Sequence, residues 1–351
     1  MKSLWSNVLG HSRQIEQLRA SLASGRFAHA YAFSGPAGVG KRLVATLLAQ
    51  CLFCERHSEV ELEACGQCAG CRQVLSGNHP DLLVVELPPG KRELSIDLFV
   101  GSPDERGRAG LCFELALRPM AGKRRVALID DADALNEESA NCLLKTLEEP
   151  PRHAVIILLV TNTDLLLPTI RSRCQVVNFL PLPANLAAAI LLREELVQSP
   201  EEARRAAAQC EGSLETARQL LEPALREQRA LVFGLLAAPR FDGMQAAARL
   251  VEAAQAEGAA RGARHGLSEW LVKFMVQFYR QVLRALTGAP TIDDQHVAQY
   301  VAGFAAPTWR EIDRVSALLE RVLAAQRQLD GNASVPLCLE ALCDDLARLQ
   351  R

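Results

Sequence analysis

The chain has 351 residues and a net charge of −2, with 49% hydrophobic and 23% charged side chains. Its length predicts two or three domains, and its near-neutral charge excludes a global basic field for nucleic acid, leaving only local contacts. No uncharged apolar run of about 18 residues appears and the start, MKSLWSNVLGHSR, lacks a signal-peptide core; no membrane partner is expected, and the cytoplasm is the expected compartment.

Ile15, Leu18 and Leu22 recur at helical spacing before Gly25. The apolar run Ala30-Tyr31-Ala32-Phe33 then predicts a strand, Gly35–Arg42 (GPAGVGKR) a loop, and Leu43–Leu48 a helix. Strand, glycine loop and helix in that order make a P-loop. Gly35, Gly38 and Gly40 would let backbone N–H groups curl round a phosphate at a helix N-terminus, and Lys41 would reach the outer phosphates. The next position, which needs a Ser or Thr hydroxyl for Mg²⁺, is Arg42, and an arginine has no lone pair to give a metal. ATP and Mg²⁺ therefore stand in doubt as ligands.

Eleven cysteines without a secretory signal argue for metal rather than disulfides. Cys65, Cys68 and Cys71 form C-x-x-C-x-x-C, and Cys54 lies eleven residues before the first. Four thiolates suit a closed tetrahedral structural Zn²⁺ site that staples an insertion over 54–71. Cys51 is the alternative fourth ligand, one turn back on the helix. A redox pair fits less well, because the motif has three cysteines and does not open a helix after a strand.

His79–Glu86 reads as a turn and a buried strand, residues 88–110 as mostly loop, and Leu111–Leu117 as the start of a helix. Val126–Ile129 ends in Asp130 and Asp131, a Walker B pattern in which Asp130 takes the metal position. Asp131 stands where hydrolysing members of this class carry a longer Glu to orient water. A carboxylate one methylene short is displaced by about an ångström, which costs a large rate factor. Arg42 is expected close enough to Asp130 for a charge-assisted pair in the place of Mg²⁺. A helix over Asn141–Glu149 ends at Pro150-Pro151, and the strand Ala154–Val160 carries Thr161 and Asn162 at its tip. With Gln175–Phe179 as a last strand, the pattern predicts a doubly wound α/β sheet with its site at the carboxyl edge.

LLKTLEEPP at Leu143–Pro151, SRC at Ser172–Cys174 and four cysteines after the P-loop helix resemble the clamp-loader branch of AAA+ proteins. The resemblance covers essentially the whole chain. It implies a Rossmann-like AAA+ P-loop domain with parallel sheet and zinc insertion (1–181), a small helical lid (182–222) and an all-α collar (223–351) for oligomer assembly. It makes Arg173 an arginine finger given in trans to a neighbour's ATP site, the alternative being a simple pair with a carboxylate. Thr161 and Asn162 fall at sensor 1, and Glu215 replaces the sensor 2 arginine in Gly212-Ser213-Leu214-Glu215. Arg42, Asp131 and Glu215 each weaken the chain's own hydrolysis, while Arg173 serves another site.

The resemblance thus implies a non-motor subunit of DNA polymerase III that helps load the sliding clamp on primed DNA, with its own ATPase absent or weak. Its partners would be gamma/tau and delta in a hetero-pentamer, with clamp and DNA reached through the complex. The alternative is an active ATPase motor of the same assembly. A free-standing zinc-dependent nucleic-acid binder is disfavoured, because the cysteines sit inside the P-loop domain. From Pro181 onward helices replace strands: Trp270, Leu271, Phe274, Met275, Phe278, Val282 and Leu286 share one face, and the pattern recurs at Leu318–Leu323 and Leu339–Leu346.

Overall fold

The structure, a computed structural model, describes residues 4–88, 90–255, 267–289, 294–304, 308–331 and 333–350. The chain divides into two units, Met1–Ala217 and Arg218–Arg351. The first carries one parallel sheet of β1 (Ala30–Ser34), β2 (Leu82–Val85), β3 (Arg125–Ile129), β4 (Ala154–Val160) and β5 (Gln175–Asn178). Their order is β2-β3-β4-β1-β5, which puts the glycine-loop strand between β4 and β5.

β1, β3 and β4 are buried along their whole length. Parallel strands covered on both faces read as unbroken apolar runs, and these do. Alternate side chains serve two cores. Tyr31, Phe33, Ile157 and Leu159 pack on the helix Lys41–Leu52. Ala30, Ala32, Ile156 and Leu158 pack toward the helix Glu137–Glu148 through Leu143 and Leu147. The α/β class expected from the sequence is the one observed. Residues 88–110 are not wholly loop. Asp97–Val100 forms a helical turn, anchored by the fully buried Phe99.

The first unit also holds helices Ala184–Arg193 and Pro200–Gln209; its border at Ala217 falls inside the helix Leu214–Leu220. In the second unit, helices Pro223–Leu236, Gly243–Gln255, Leu267–Leu286, Trp309–Asp330 and Val335–Leu349 share one core. Trp270, Leu271, Phe274, Met275, Phe278, Val282 and Leu286 are all buried in it. Arg229 lies within that core because it is fully engaged: it donates to Gln277 Oε1 and Asp294 Oδ2, each at 3.0 Å, and covers the Phe233 ring. No helix among the described residues is long and apolar enough to cross a membrane.

Candidate functional site

The carboxyl ends of the strands gather the site. Gly35 N–H donates to Val160 O across β1 and β4, and Asp130 N–H donates to Val85 O across β3 and β2. The glycine loop therefore lies next to the β4 tip, and the acidic tips of β3 and β2 follow along the same edge of the sheet.

Two glycines are required by contact. A Cβ at Gly35 would lie 2.2 Å from Phe179 O, and one at Gly38 would lie 2.5 Å from the Cβ of Glu215. Gly38 also has φ +72°, a backbone that favours glycine. Leu214 N–H donates to Gly38 O at 2.9 Å. The segment carrying Glu215 thus rests directly on the loop, and the Glu215 carboxylate is near enough to act on the charge of Lys41. Gly40 precedes the helix Lys41–Leu52, and His11, buried nearby, donates Nε2–H to Val39 O at 2.7 Å. Burial holds the His11 pKa down, consistent with a neutral ring.

Lys41 is 8% exposed, and its ammonium donates to Gly35 O and Pro36 O at 2.5 and 2.9 Å. Burial lowers its pKa against the pull of Asp133, Asp130, Asp131 and Glu215. Arg42 makes the expected pair and a second one. Its Nη1 lies 2.8 Å from Asp130 Oδ2 and 2.8 Å from Glu86 Oε2. Burial disfavours the guanidinium charge, yet Glu86 and Asp130 outweigh it and raise the pKa. Mg²⁺ wants oxygen ligands in octahedral array; here a cationic side chain lies across Asp130, the carboxylate expected at the metal position. These residues do not fit a Mg²⁺ site.

Asp131 follows in left-handed backbone, φ +51°, its N–H donating to Asp130 Oδ1 at 3.0 Å. Thr161 donates both N–H and Oγ1–H to Asp133 Oδ2 at 2.7 Å. Asn162 accepts from Asp164 N–H and so caps the turn Thr163–Leu165. Both sensor 1 candidates are engaged by their own chain. Arg173 has partners elsewhere: Glu148 Oε1 at 2.7 Å, Thr169 O at 2.9 Å and Ser172 Oγ at 3.4 Å. Its side chain stays about one third exposed, at 35%.

The sulfurs of Cys54, Cys65, Cys68 and Cys71 all lie within 4.8 Å of one another. A tetrahedron of ~2.3 Å Zn–S bonds has edges of about 3.8 Å, so the four fit a zinc ion with small adjustment. N–H groups of Cys65, Gln67, Cys68 and Cys71 point at these sulfurs, at 3.3–3.4 Å. Cys51 is not among the four; burial pushes its thiol up to about 12, the behaviour of an inert core thiol.

Glu86, Asp133, Glu148 and His11 were not singled out from the sequence. Glu86 carried one signal, an acid directly after an apolar strand, but its meaning depends on β2 lying beside β3.

Residues 10–183 match the family model described as DNA polymerase III, delta subunit. The chain is 36% identical over 232 residues to DNA polymerase III subunit delta' of Pseudomonas aeruginosa, covering 66% of this chain and 63% of that one. It is 33% identical to subunit delta' of Bacillus subtilis, covering 55% and 54%. With subunit tau of Escherichia coli it shares 34% identity over 63% of this chain and 33% of that one. The matched region spans less than two thirds of each of these relatives.

Proposed function

We propose that the chain belongs to the AAA+ clamp-loader branch among DNA polymerase III subunits and acts there as a delta-prime-like subunit without ATP turnover of its own. The observation that carries this is Arg42 bridging Glu86 and Asp130 at the metal position. Phosphoryl transfer needs a metal to gather charge on the transferring group and a residue to orient water. Here the first place holds a side-chain cation, and the second holds the short Asp131 in left-handed backbone.

The chemistry it lends is in Arg173. A guanidinium supplied in trans stabilises charge on a neighbour's transferring phosphoryl group. Glu148 and the Thr169 carbonyl hold Arg173 in place beforehand; on engagement the guanidinium would exchange Glu148 for phosphate oxygens. Glu148 is then a positioning residue. Cys54, Cys65, Cys68 and Cys71 would hold a zinc ion that is structural. The working division is 1–181 for the AAA+ domain, 182–222 for the lid and 223–351 for the collar. Partners are gamma/tau and delta in a cytoplasmic hetero-pentamer that loads the sliding clamp on primed DNA.

The test is ATP hydrolysis by the chain alone and by the complex reconstituted with its gamma/tau and delta partners. No turnover is expected from the chain alone. Arg173→Ala should lower turnover at the site it serves by about a hundredfold or more without loss of assembly. The intact glycine loop and Lys41 favour a motor reading; turnover by the isolated chain would establish that one instead.

A further inference from the structure

The misfit between this pocket and Mg²⁺ has a definite geometry. One nitrogen, Arg42 Nη1, sits 2.8 Å from a carboxylate oxygen on each of two adjacent strand tips, Glu86 after β2 and Asp130 after β3. Removed from between them, it would leave two carboxylates facing each other with no other cation in ion-pair contact with either among the described residues.

We propose that Arg42 is a resident counter-cation, filling a divalent cation's place between Glu86 and Asp130 and making the pocket indifferent to Mg²⁺. Three properties suit an arginine to this. It stays charged at every physiological pH, and here the two carboxylates raise its pKa further. It offers a metal no lone pair. It stands in the first turn of the helix Lys41–Leu52, so the loop that brings phosphate also brings the cation. The carboxylates are thereby neutralised without metal.

The converse is the testable part. Arg42→Thr should uncover a divalent-cation site that the natural chain lacks, built from Glu86, Asp130 and the new hydroxyl. The full-length, zinc-loaded chain would be titrated with Mn²⁺ and free Mn²⁺ followed by electron paramagnetic resonance. Uptake at the cysteine cluster is separated by the double variant R42T/D130N. The natural chain is expected to take up no Mn²⁺ that Asp130→Asn abolishes. R42T is expected to bind about tenfold or more tighter than the natural chain, and R42T/D130N to lose that gain. R42K keeps the charge and should remain indifferent, which preserves the test if R42T does not fold. Asp130-dependent uptake by the natural chain, uptake by R42K, or no gain in folded R42T would each overturn the proposal. Mn²⁺ uptake is read without nucleotide, so it holds or fails separately from the non-hydrolysing role on which its biological consequence rests.

Discussion

The cysteine cluster and the P-loop pocket are both groups of anions that the sequence marks as cation sites, and they meet that demand in opposite ways. Four sulfurs converge around a volume of zinc size, with main-chain N–H groups turned toward them. At the strand tips Glu86 and Asp130 converge instead on a guanidinium. A metal site therefore needs more than donors at the right spacing. It needs the chain to withhold its own cation.

For the chain loaded with zinc at the cysteine cluster, removing the metal should have the largest effect. Chelation, or Cys71→Ser, is expected to abolish zinc by elemental analysis and to lower the unfolding temperature by about 10 °C or more. An unchanged unfolding temperature would mean that the cluster closes on itself, as the pocket does.

Asp81 adds a third way of satisfying an anion, and the next largest effect. It is fully buried and accepts N–H from Met120, Ala121 and Gly122 at 2.7–3.1 Å, with Arg125 alongside. Burial alone would raise its pKa; the three donors and Arg125 outweigh burial and lower it. A depressed carboxylate stabilises above its unfolded value near ~4 and loses that contribution as pH falls through the folded value. Asp81→Asn should cost about 3 kcal/mol at neutral pH, because an amide turns N–H groups toward N–H donors. It should also flatten the loss of stability below about pH 4. Urea unfolding across pH reads both.

Gly38→Ala comes third. The new Cβ meets the Glu215 backbone at 2.7 Å on a left-handed φ, at about 2 kcal/mol. Hydrogen exchange should quicken at Leu214, whose N–H the loop receives. Smallest is Arg42→Ala: Arg42 and Glu86 are 48% and 50% accessible and Asp130 13%, so with one partner covered stability should change by about 1 kcal/mol. A loss several times larger would mean that this region, too, depends structurally on its cation.

The strands, glycine loop and cysteine spacing were legible because each is a local signal: an apolar run, a glycine interval, a repeated C-x-x-C. Lys41, Arg42 and Asp130 could be related because loop and acid occupy recognisable strand tips. Glu86 could not, since its role needs the pairing of β2 with β3, and pairing is a long-range property. The same holds for Glu148, which sits within LLKTLEEPP yet acquires meaning only beside Arg173. His11 gave no pattern at all, because its partner is a main-chain carbonyl.

The sheet order also sets a schedule for folding. β1 lies between β4 and β5, so the glycine loop cannot reach its final surroundings until the chain has been made through Asn178. Cys54 to Cys71 close within their own short segment, a contact of low entropic cost. On the ribosome the cysteine module can be complete while the strand feeding the P-loop still waits for its neighbours. Newly made chain therefore offers a metal its thiolates once Cys71 is made, whereas Glu86 and Asp130 follow later and meet an Arg42 already in the chain.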